Sequence, residues 1–125
     1  MPPQRRVLIV DQLSETRETL RSVLETHGLR IFEAGGADEG LTALRDERPD
    51  IVVLDMEETA AEDHLRCEAL VAATQQQQTP LVLLGSARRA PEGVAKSDVV
   101  RKPYHYGPLV RKIEQLLESS QRSAA

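Results

Sequence analysis

Short apolar runs alternate along this chain with stretches in which apolar residues recur every three or four positions. Five segments predict β-strands: 7–10, 29–33, 51–54, 81–84 and, more weakly, 98–100. The first, third and fourth of them are continuous apolar runs, which is typical of parallel strands covered on both faces. The pattern therefore favours a sheet whose strands lie inside the protein.

Helical periodicity follows the first three strands and returns at the end of the chain. The first helix begins near Leu13 and extends to His27, because Gly28 is suited to end it. A second helix begins at Ala37 and ends before Pro49. A third and a closing helix follow, the closing one entered through Gly107–Pro108. Their apolar positions are Leu65, Ala69, Ala72 and Ala73 in the third helix, and Leu109, Val110, Ile113, Leu116 and Leu117 in the closing helix.

Strands that alternate with helices predict an α/β fold, a parallel sheet with right-handed crossovers and helices on both faces. The 125 residues suit a single domain with one core. We place that domain at 5–118 and interpret 119–125 as a linker or frayed end. Residues 87–97 hold at most a brief helix, because Pro91 and Gly93 interrupt them.

Composition excludes several classes of function. Sixteen Lys and Arg against twenty Asp and Glu give a net charge of −4, so the chain has no broad cationic surface for nucleic acid or anionic lipid. Cys67 is the single cysteine, which excludes a disulfide framework and suits a packed thiol. No apolar stretch has the length of a membrane span. We expect a soluble, cytoplasmic protein.

Four polar side chains follow predicted strands at the edge where ligands of parallel sheets bind. They are Asp11, Asp55, Ser86 and Lys102. An aspartate that attacks a phosphoryl group needs a divalent cation and a second carboxylate to hold it, roles that suit Asp55 and Asp11. Lys102 and Ser86 suit the phosphoryl oxygens. An Asp at a strand end is also typical of a turn or helix cap, and a lone Lys-Pro is typical of a surface turn, so the hypothesis depends on their joint placement.

These residues resemble those of the CheY-like receiver domains of two-component signalling. The resemblance rests on the segments 7–11 and 49–55, on Arg17, on Lys102–Pro103 and on the closing helix. It implies a flavodoxin-like (βα)5 doubly wound sheet of five parallel strands in the order 2-1-3-4-5, with a shortened fourth helix. It also implies a cis Lys102–Pro103 peptide.

The resemblance further implies a signalling role rather than an enzyme, beyond transfer of a phosphoryl group onto Asp55 itself. The donor would be a histidine kinase or a phosphotransfer protein, and an effector domain or a second copy would be a further partner. Mg²⁺ would be held by Asp11, Asp55 and the backbone carbonyl of Glu57. Lys102 would contact the phosphoryl group.

The chain departs from the family pattern at several positions. Gln12 stands where a second acid is usual, so Mg²⁺ binding is expected to be weak. The switch hydroxyl falls on Ser86 in one alignment, whereas the other alignment puts Gly85 there. Val99 stands where a switch aromatic is common. An alternative function is therefore a pseudo-receiver, a protein–protein interaction module that is not phosphorylated.

Overall fold

A computed structural model describes residues 4–55, 61–85, 91, 93–95 and 98–124, with the backbone alone at 61–64 and 120–124. Nine elements follow one another along the chain. They are β1 (Arg6–Val10), α1 (Ser14–Glu25), β2 (Arg30–Ala34), α2 (Ala37–Glu47), β3 (Ile51–Asp55), α3 (Ala61–Gln76), β4 (Leu81–Gly85), β5 (Val99–Arg101) and α4 (Tyr106–Ala124).

The five strands form one parallel sheet in the order β2-β1-β3-β4-β5. This confirms the α/β, flavodoxin-like topology that the sequence predicts. In the register of the central strands Val10 lies opposite Leu54, so Asp11 and Asp55 leave their strands side by side. Leu84 lies opposite Asp55. The carboxyl ends of β1, β3 and β4 are therefore level at one edge.

Side chains alternate between the two faces of the sheet and build two apolar clusters. The first cluster lies beneath α1 and α4, and the second lies beneath α2 and α3. Strand members of the first are Val7, Ile9, Ile31, Ile51, Val53, Val82 and Leu84. Strand members of the second are Leu8, Val10, Ala34, Val52, Leu54, Leu81 and Leu83.

The ends of α1 and α2 follow their sequence signals. Behind α1 the chain turns through Gly28, whose φ of 78° lies in the left-handed region that favours glycine. At the end of α2, Arg48 takes a left-handed conformation (φ 45°) just before Pro49. Arg6 Nη1 donates a hydrogen bond of 2.6 Å to the Glu47 carbonyl, which satisfies one of the last acceptors of that helix.

The third helix forms as predicted, but of its four predicted apolar positions only Ala73 packs against the core, where it is partly buried. The side chains that it buries are Cys67, Leu70, Val71 and Thr74, whereas Ala69 and Ala72 are exposed and Leu65 is 67% exposed. Alanines lie on both sides of α3 and mark no face, so the bulkier Leu70 and Val71 determine which side packs. The burial of Cys67 agrees with a packed thiol.

The closing helix α4 is longer at both ends than predicted. It begins at Tyr106, before Gly107–Pro108, and the backbone remains helical to Ala124, where we expected a linker or frayed end from Ser119 onward. Neither glycine nor proline occurs after Pro108, so no residue type interrupts the helix. The domain boundary at residue 118 stays a prediction.

The predicted brief helix at 87–97 falls largely outside the described residues. Its described positions, Pro91 and 93–95, are not helical. Among the helices that the structure describes, none combines the length and the apolar character needed to cross a membrane.

Candidate functional site

Three of the predicted site residues meet at the carboxyl edge of the sheet. Asp11 is 4% exposed and Asp55 is 8% exposed. Lys102 Nζ donates a hydrogen bond to Asp55 Oδ2 at 2.5 Å. Two buried carboxylates and one ammonium group therefore share this edge, as the sequence predicts.

Strand periodicity explains why these three side chains lie on the same face. Each follows, two positions later, an apolar residue that packs in the cluster beneath α1 and α4. These apolar residues are Ile9, Val53 and Val100. The site therefore continues the apolar side-chain rows of β1, β3 and β5 at the point where those strands end.

Asp11 is held by three groups around it. Its N–H donates to the Ala34 carbonyl at 3.1 Å, and its Oδ1 accepts from the Leu13 N–H at 2.9 Å. Its own carbonyl accepts from Arg17 Nη1 at 2.6 Å. Because both the backbone and the carboxylate are engaged, the orientation of Asp11 is determined by β2 and by the start of α1.

The site disfavours a negative charge on Asp11 beside that of Asp55. Burial raises the pKa of Asp11 above its ordinary value of 3.8, and the charge of Asp55 adds to that rise. The hydrogen bond from Leu13 and the charges of Lys102 and Arg17 lower the same pKa and oppose the rise. A cation between the two carboxylates would relieve their repulsion.

The oxygen donors at this edge fit Mg²⁺, which prefers carboxylates and commonly keeps several waters. Across the described residues there is no group of three His, Cys, Asp or Glu side chains that could hold a metal. Among the residues that the structure describes, the carboxylate donors at this edge are those of Asp11 and Asp55.

Two predicted site residues, Ser86 and Glu57, lie outside the described residues. Gln12, next to Asp11, is exposed. Gly85 ends β4, directly after Leu84, which belongs to the cluster beneath α1 and α4. Strand alternation therefore assigns position 85 to the opposite face from Asp55.

The peptide that follows Lys102 agrees with the resemblance. The Lys102–Pro103 peptide is cis. Tyr104 is half-buried against the cluster that includes α4, and its ring meets Tyr106 edge-on at 5.9 Å. Burial raises the pKa of the Tyr104 hydroxyl, and the electrostatic effect of the nearby Tyr106 raises it further. Val99 packs instead in the cluster beneath α2 and α3.

Sequence reasoning missed the contacts of Arg17 and Glu33. Arg17 Nε lies 3.4 Å from Glu33 Oε1, so the same guanidinium reaches both β2 and Asp11. A signal was available in the sequence: Arg17 precedes Leu20 and Leu24 by three and seven positions, which places a charge on the buried stripe of α1.

Comparisons with known proteins extend these observations. No family model matches the chain. The KDP operon transcriptional regulatory protein KdpE of Escherichia coli (strain K12) is 27% identical over 124 residues, which cover 95% of this chain and 54% of that protein. The chain therefore spans about half the length of this curated relative.

Solved structures share the fold over almost the whole chain. A CheY-like response regulator receiver domain protein from Methanospirillum hungatei JF-1 has a TM-score of 0.78 at 18% identity, with 97% of this chain and 99% of that chain covered. A response regulator receiver modulated diguanylate cyclase from Pelobacter carbinolicus has a TM-score of 0.78 at 25% identity, with 96% and 97% covered. The chain therefore has the fold of the CheY-like receiver domains.

Proposed function

We propose that this chain is a two-component receiver that accepts a phosphoryl group on Asp55 from the phosphohistidine of a histidine kinase or phosphotransfer protein. The observation that carries the proposal is the contact of 2.5 Å between Lys102 Nζ and Asp55 Oδ2, beside the buried Asp11. A carboxylate that is already paired with an ammonium group has a cation ready for the charge of an incoming phosphoryl group.

The transfer is a single displacement at phosphorus. A carboxylate oxygen of Asp55 forms a bond to phosphorus while the bond from phosphorus to the donor imidazole nitrogen breaks, and the imidazole leaves with that electron pair and is protonated. Lys102, which balances the Asp55 carboxylate before transfer, is placed to contact the phosphoryl oxygens afterwards. No further chemistry is required of the chain, which acts as a signalling module rather than an enzyme.

Mg²⁺, when bound, offsets the negative charges that approach each other during transfer. Asp11 and Asp55 would hold it, together with the backbone carbonyl of Glu57. Gln12 supplies no negative charge where a second acid would, so the affinity is expected to be low. For the hydroxyl donor we retain Ser86, because position 85 falls on the face opposite Asp55 by strand alternation.

Signal output would follow from the new charge on Asp55. The acyl phosphate would carry a charge of about −1.5 to −2 at neutral pH in place of the single negative charge of the Asp55 carboxylate, and this more negative group would bias the segments that follow β4 and β5. An effector domain or a second copy of the chain would detect that change. The structural neighbour from Pelobacter carbinolicus, a receiver modulated diguanylate cyclase, supports the first of these partners.

Gln12 favours a second candidate function, the pseudo-receiver. Its exposed, uncharged side chain stands beside Asp11, and loss of a metal-binding acid is the expected change in a domain that no longer accepts phosphate. In that case the chain would act by constant protein–protein contact.

Amide NMR of the domain distinguishes the two candidates. We expect shifts at Asp11, Asp55 and Lys102 when Mg²⁺ and then beryllofluoride, a phosphoryl analogue, are added, and we expect no beryllofluoride response in Asp55→Asn. Ser86 is expected to shift with them. An unchanged wild-type spectrum at millimolar Mg²⁺ and beryllofluoride would reject the phosphoacceptor and leave the pseudo-receiver.

A further inference from the structure

The contacts of Arg17 extend the site beyond the residues that touch phosphate or metal. Arg17 Nη1 donates to the Asp11 carbonyl at 2.6 Å, and Arg17 Nε lies 3.4 Å from Glu33 Oε1. Its side chain is only 19% exposed. One guanidinium therefore joins the end of β1 to β2 from the second turn of α1.

We propose that Arg17 is a positioning residue, which with Glu33 holds the backbone of Asp11 so that its carboxylate faces Asp55. The proposal rests on the receiver function proposed above and assigns a role to a residue that would touch neither the phosphoryl group nor Mg²⁺. A planar guanidinium with several donors is suited to this role because it can satisfy two acceptors in different directions at once.

The position of the Asp11 carbonyl explains why such a contact matters. β1 ends at Val10, so the carbonyl of Asp11 lies beyond the last strand residue, and α1 begins only at Ser14. The hydrogen bond from Arg17 gives the Asp11 carbonyl the donor that a buried carbonyl needs. The Asp11 carboxylate accepts from the Leu13 N–H in the same connection. Movement of the Asp11 backbone would therefore displace the carboxylate and this hydrogen bond together.

Glu33 in turn orients Arg17. Its two oxygens contact two arginines on successive turns of α1, since Oε2 lies 2.7 Å from Arg21 Nη1. Arg21 is more exposed, at 44%, and its other carboxylate contact is with Glu25 at 3.2 Å. Arg21 thus shares the helix, the charge and the Glu33 contact of Arg17, while its described contacts do not include Asp11. It provides a matched control.

The test compares Arg17→Met with Arg21→Met in Mg²⁺ titrations followed by amide NMR. Residues that orient a metal ligand typically change metal affinity by about 10-fold to 100-fold when they are replaced. We expect Arg17→Met to raise the Mg²⁺ dissociation constant by at least about 10-fold. Arg21→Met should change it by no more than about twofold, as surface substitutions do. Equal effects of the two variants would overturn the proposal.

A second, milder variant keeps the test valid if Arg17→Met fails to fold. Arg17→Lys keeps the charge and the long stem, but a single ammonium group cannot reproduce both contacts in the same geometry. It should still weaken Mg²⁺ binding relative to the wild type. An affinity equal to that of the wild type would mean that charge alone suffices, which would contradict positioning through the two contacts.

A readout without metal separates this proposal from the receiver function. In metal-free buffer, Arg17→Met should speed solvent exchange of the Leu13 amide but leave exchange at Leu24, inside α1, unchanged, while Arg21→Met should alter neither. If the wild type does not bind Mg²⁺, the proposed function fails, and the Leu13 amide still decides the role of Arg17. Unchanged Leu13 exchange in Arg17→Met would reject that role.

Discussion

The two faces of the sheet are covered by helices of different character. α1 and α4 bury large aliphatic side chains over one face: Leu20, Leu24, Leu109, Val110, Ile113 and Leu117. Over the other face, α2 and α3 bury large residues (Leu44, Leu70 and Val71) together with small ones (Ala37, Gly40 and Cys67). We call the first the large-residue face and the second the small-residue face, because the second depends on the absence of a side chain at Gly40, where Leu70 and Val10 approach closely.

The candidate-site residues that the structure describes lie on one of these faces. Asp11, Asp55 and Lys102 extend the side-chain rows beneath α1 and α4, and Tyr104 packs against the same cluster. Arg17, which contacts Asp11, also lies on α1. We infer that the large-residue face supports the site, while the small-residue face mainly stabilises the fold.

The largest effect that this comparison predicts is for truncation of a buried side chain of α4. Ile113 is fully buried, so Ile113→Ala should lower the free energy of unfolding by about 2–5 kcal/mol. Cys67→Ala on the other face removes a single atom and should cost about 1 kcal/mol. Urea unfolding measures both. A loss at Cys67 as large as that at Ile113 would mean that the two faces do not differ in this way.

Enlarging a buried residue, in contrast, should lower the free energy of unfolding most on the small-residue face. A Cβ atom at Gly40 would lie 3.1 Å from both Leu70 Cδ2 and Val10 Cγ2, which is tighter than usual contact. Gly40→Val should therefore lower the free energy of unfolding by about 1–3 kcal/mol through overpacking. Thr42→Val introduces the same residue at an exposed position of α2 and should stay within about 0.5 kcal/mol. Similar unfolding curves for the two variants would contradict close packing at Gly40.

The buried negative charge of Asp11, which lies on the large-residue face, should lower the free energy of unfolding in metal-free buffer. Burial raises the pKa of Asp11 above 3.8, so the folded state binds this proton more tightly than the unfolded state does. The Asp11 contribution to stability therefore falls as the pH rises from about 3.8 through the raised pKa, and it remains unfavourable above that interval.

Asp11→Asn removes this charge and keeps an acceptor for the Leu13 N–H. At pH 7 it should raise the free energy of unfolding by more than the roughly 0.5 kcal/mol typical of surface changes, and the gain should shrink towards acid pH. Urea unfolding across that pH range measures the effect. A variant less stable than the wild type at pH 7 would show that Asp11 supports the fold rather than a function.

The smallest predicted effect concerns the ion pair between Lys112 of α4 and Asp98, the residue directly before β5. Lys112 Nζ lies 3.3 Å from Asp98 Oδ1, with both side chains partly exposed. Lys112→Gln should cost about 0.2–1 kcal/mol, the usual range for such pairs. Arg45→Gln, whose partner is the adjacent Asp46 on the exposed side of α2, should cost less. Equal thermal shifts would indicate that the α4 pair adds nothing.

The strands could be predicted because their signal is local. The apolar runs at 7–10, 51–54 and 81–84 each became a strand, with bounds that differ by one residue. The meeting of Asp11 and Asp55 could be predicted as well, since parallel strands bring their carboxyl ends together. Where alanines stood on both sides of α3, periodicity did not identify the buried face, which depends on how the larger Leu70 and Val71 pack.

Contacts that depend on tertiary geometry could not be predicted. The hydrogen bond from Lys102 to Asp55 joins residues 47 positions apart, and its length depends on the register of β4 and β5 and on the turn at Pro103. The bridge from Arg17 to Asp11 and Glu33 requires the position of α1 against β2. A charge on the apolar stripe of α1 indicated that Arg17 has a partner, but it did not identify Asp11.

Phosphorylation with a small-molecule donor tests the central claim most directly, because it requires no knowledge of the partner kinase. The domain is incubated with phosphoramidate and Mg²⁺, and its intact mass is measured beside that of Asp55→Asn and of Lys102→Gln. We predict that the wild type gains the mass of one phosphoryl group, and that it gains none when Mg²⁺ is chelated before the donor is added. Asp55→Asn should gain none, and Lys102→Gln should gain it more slowly. A wild type that gains no mass, or an Asp55→Asn variant that gains as much, would contradict the assignment of Asp55 as the phosphoacceptor.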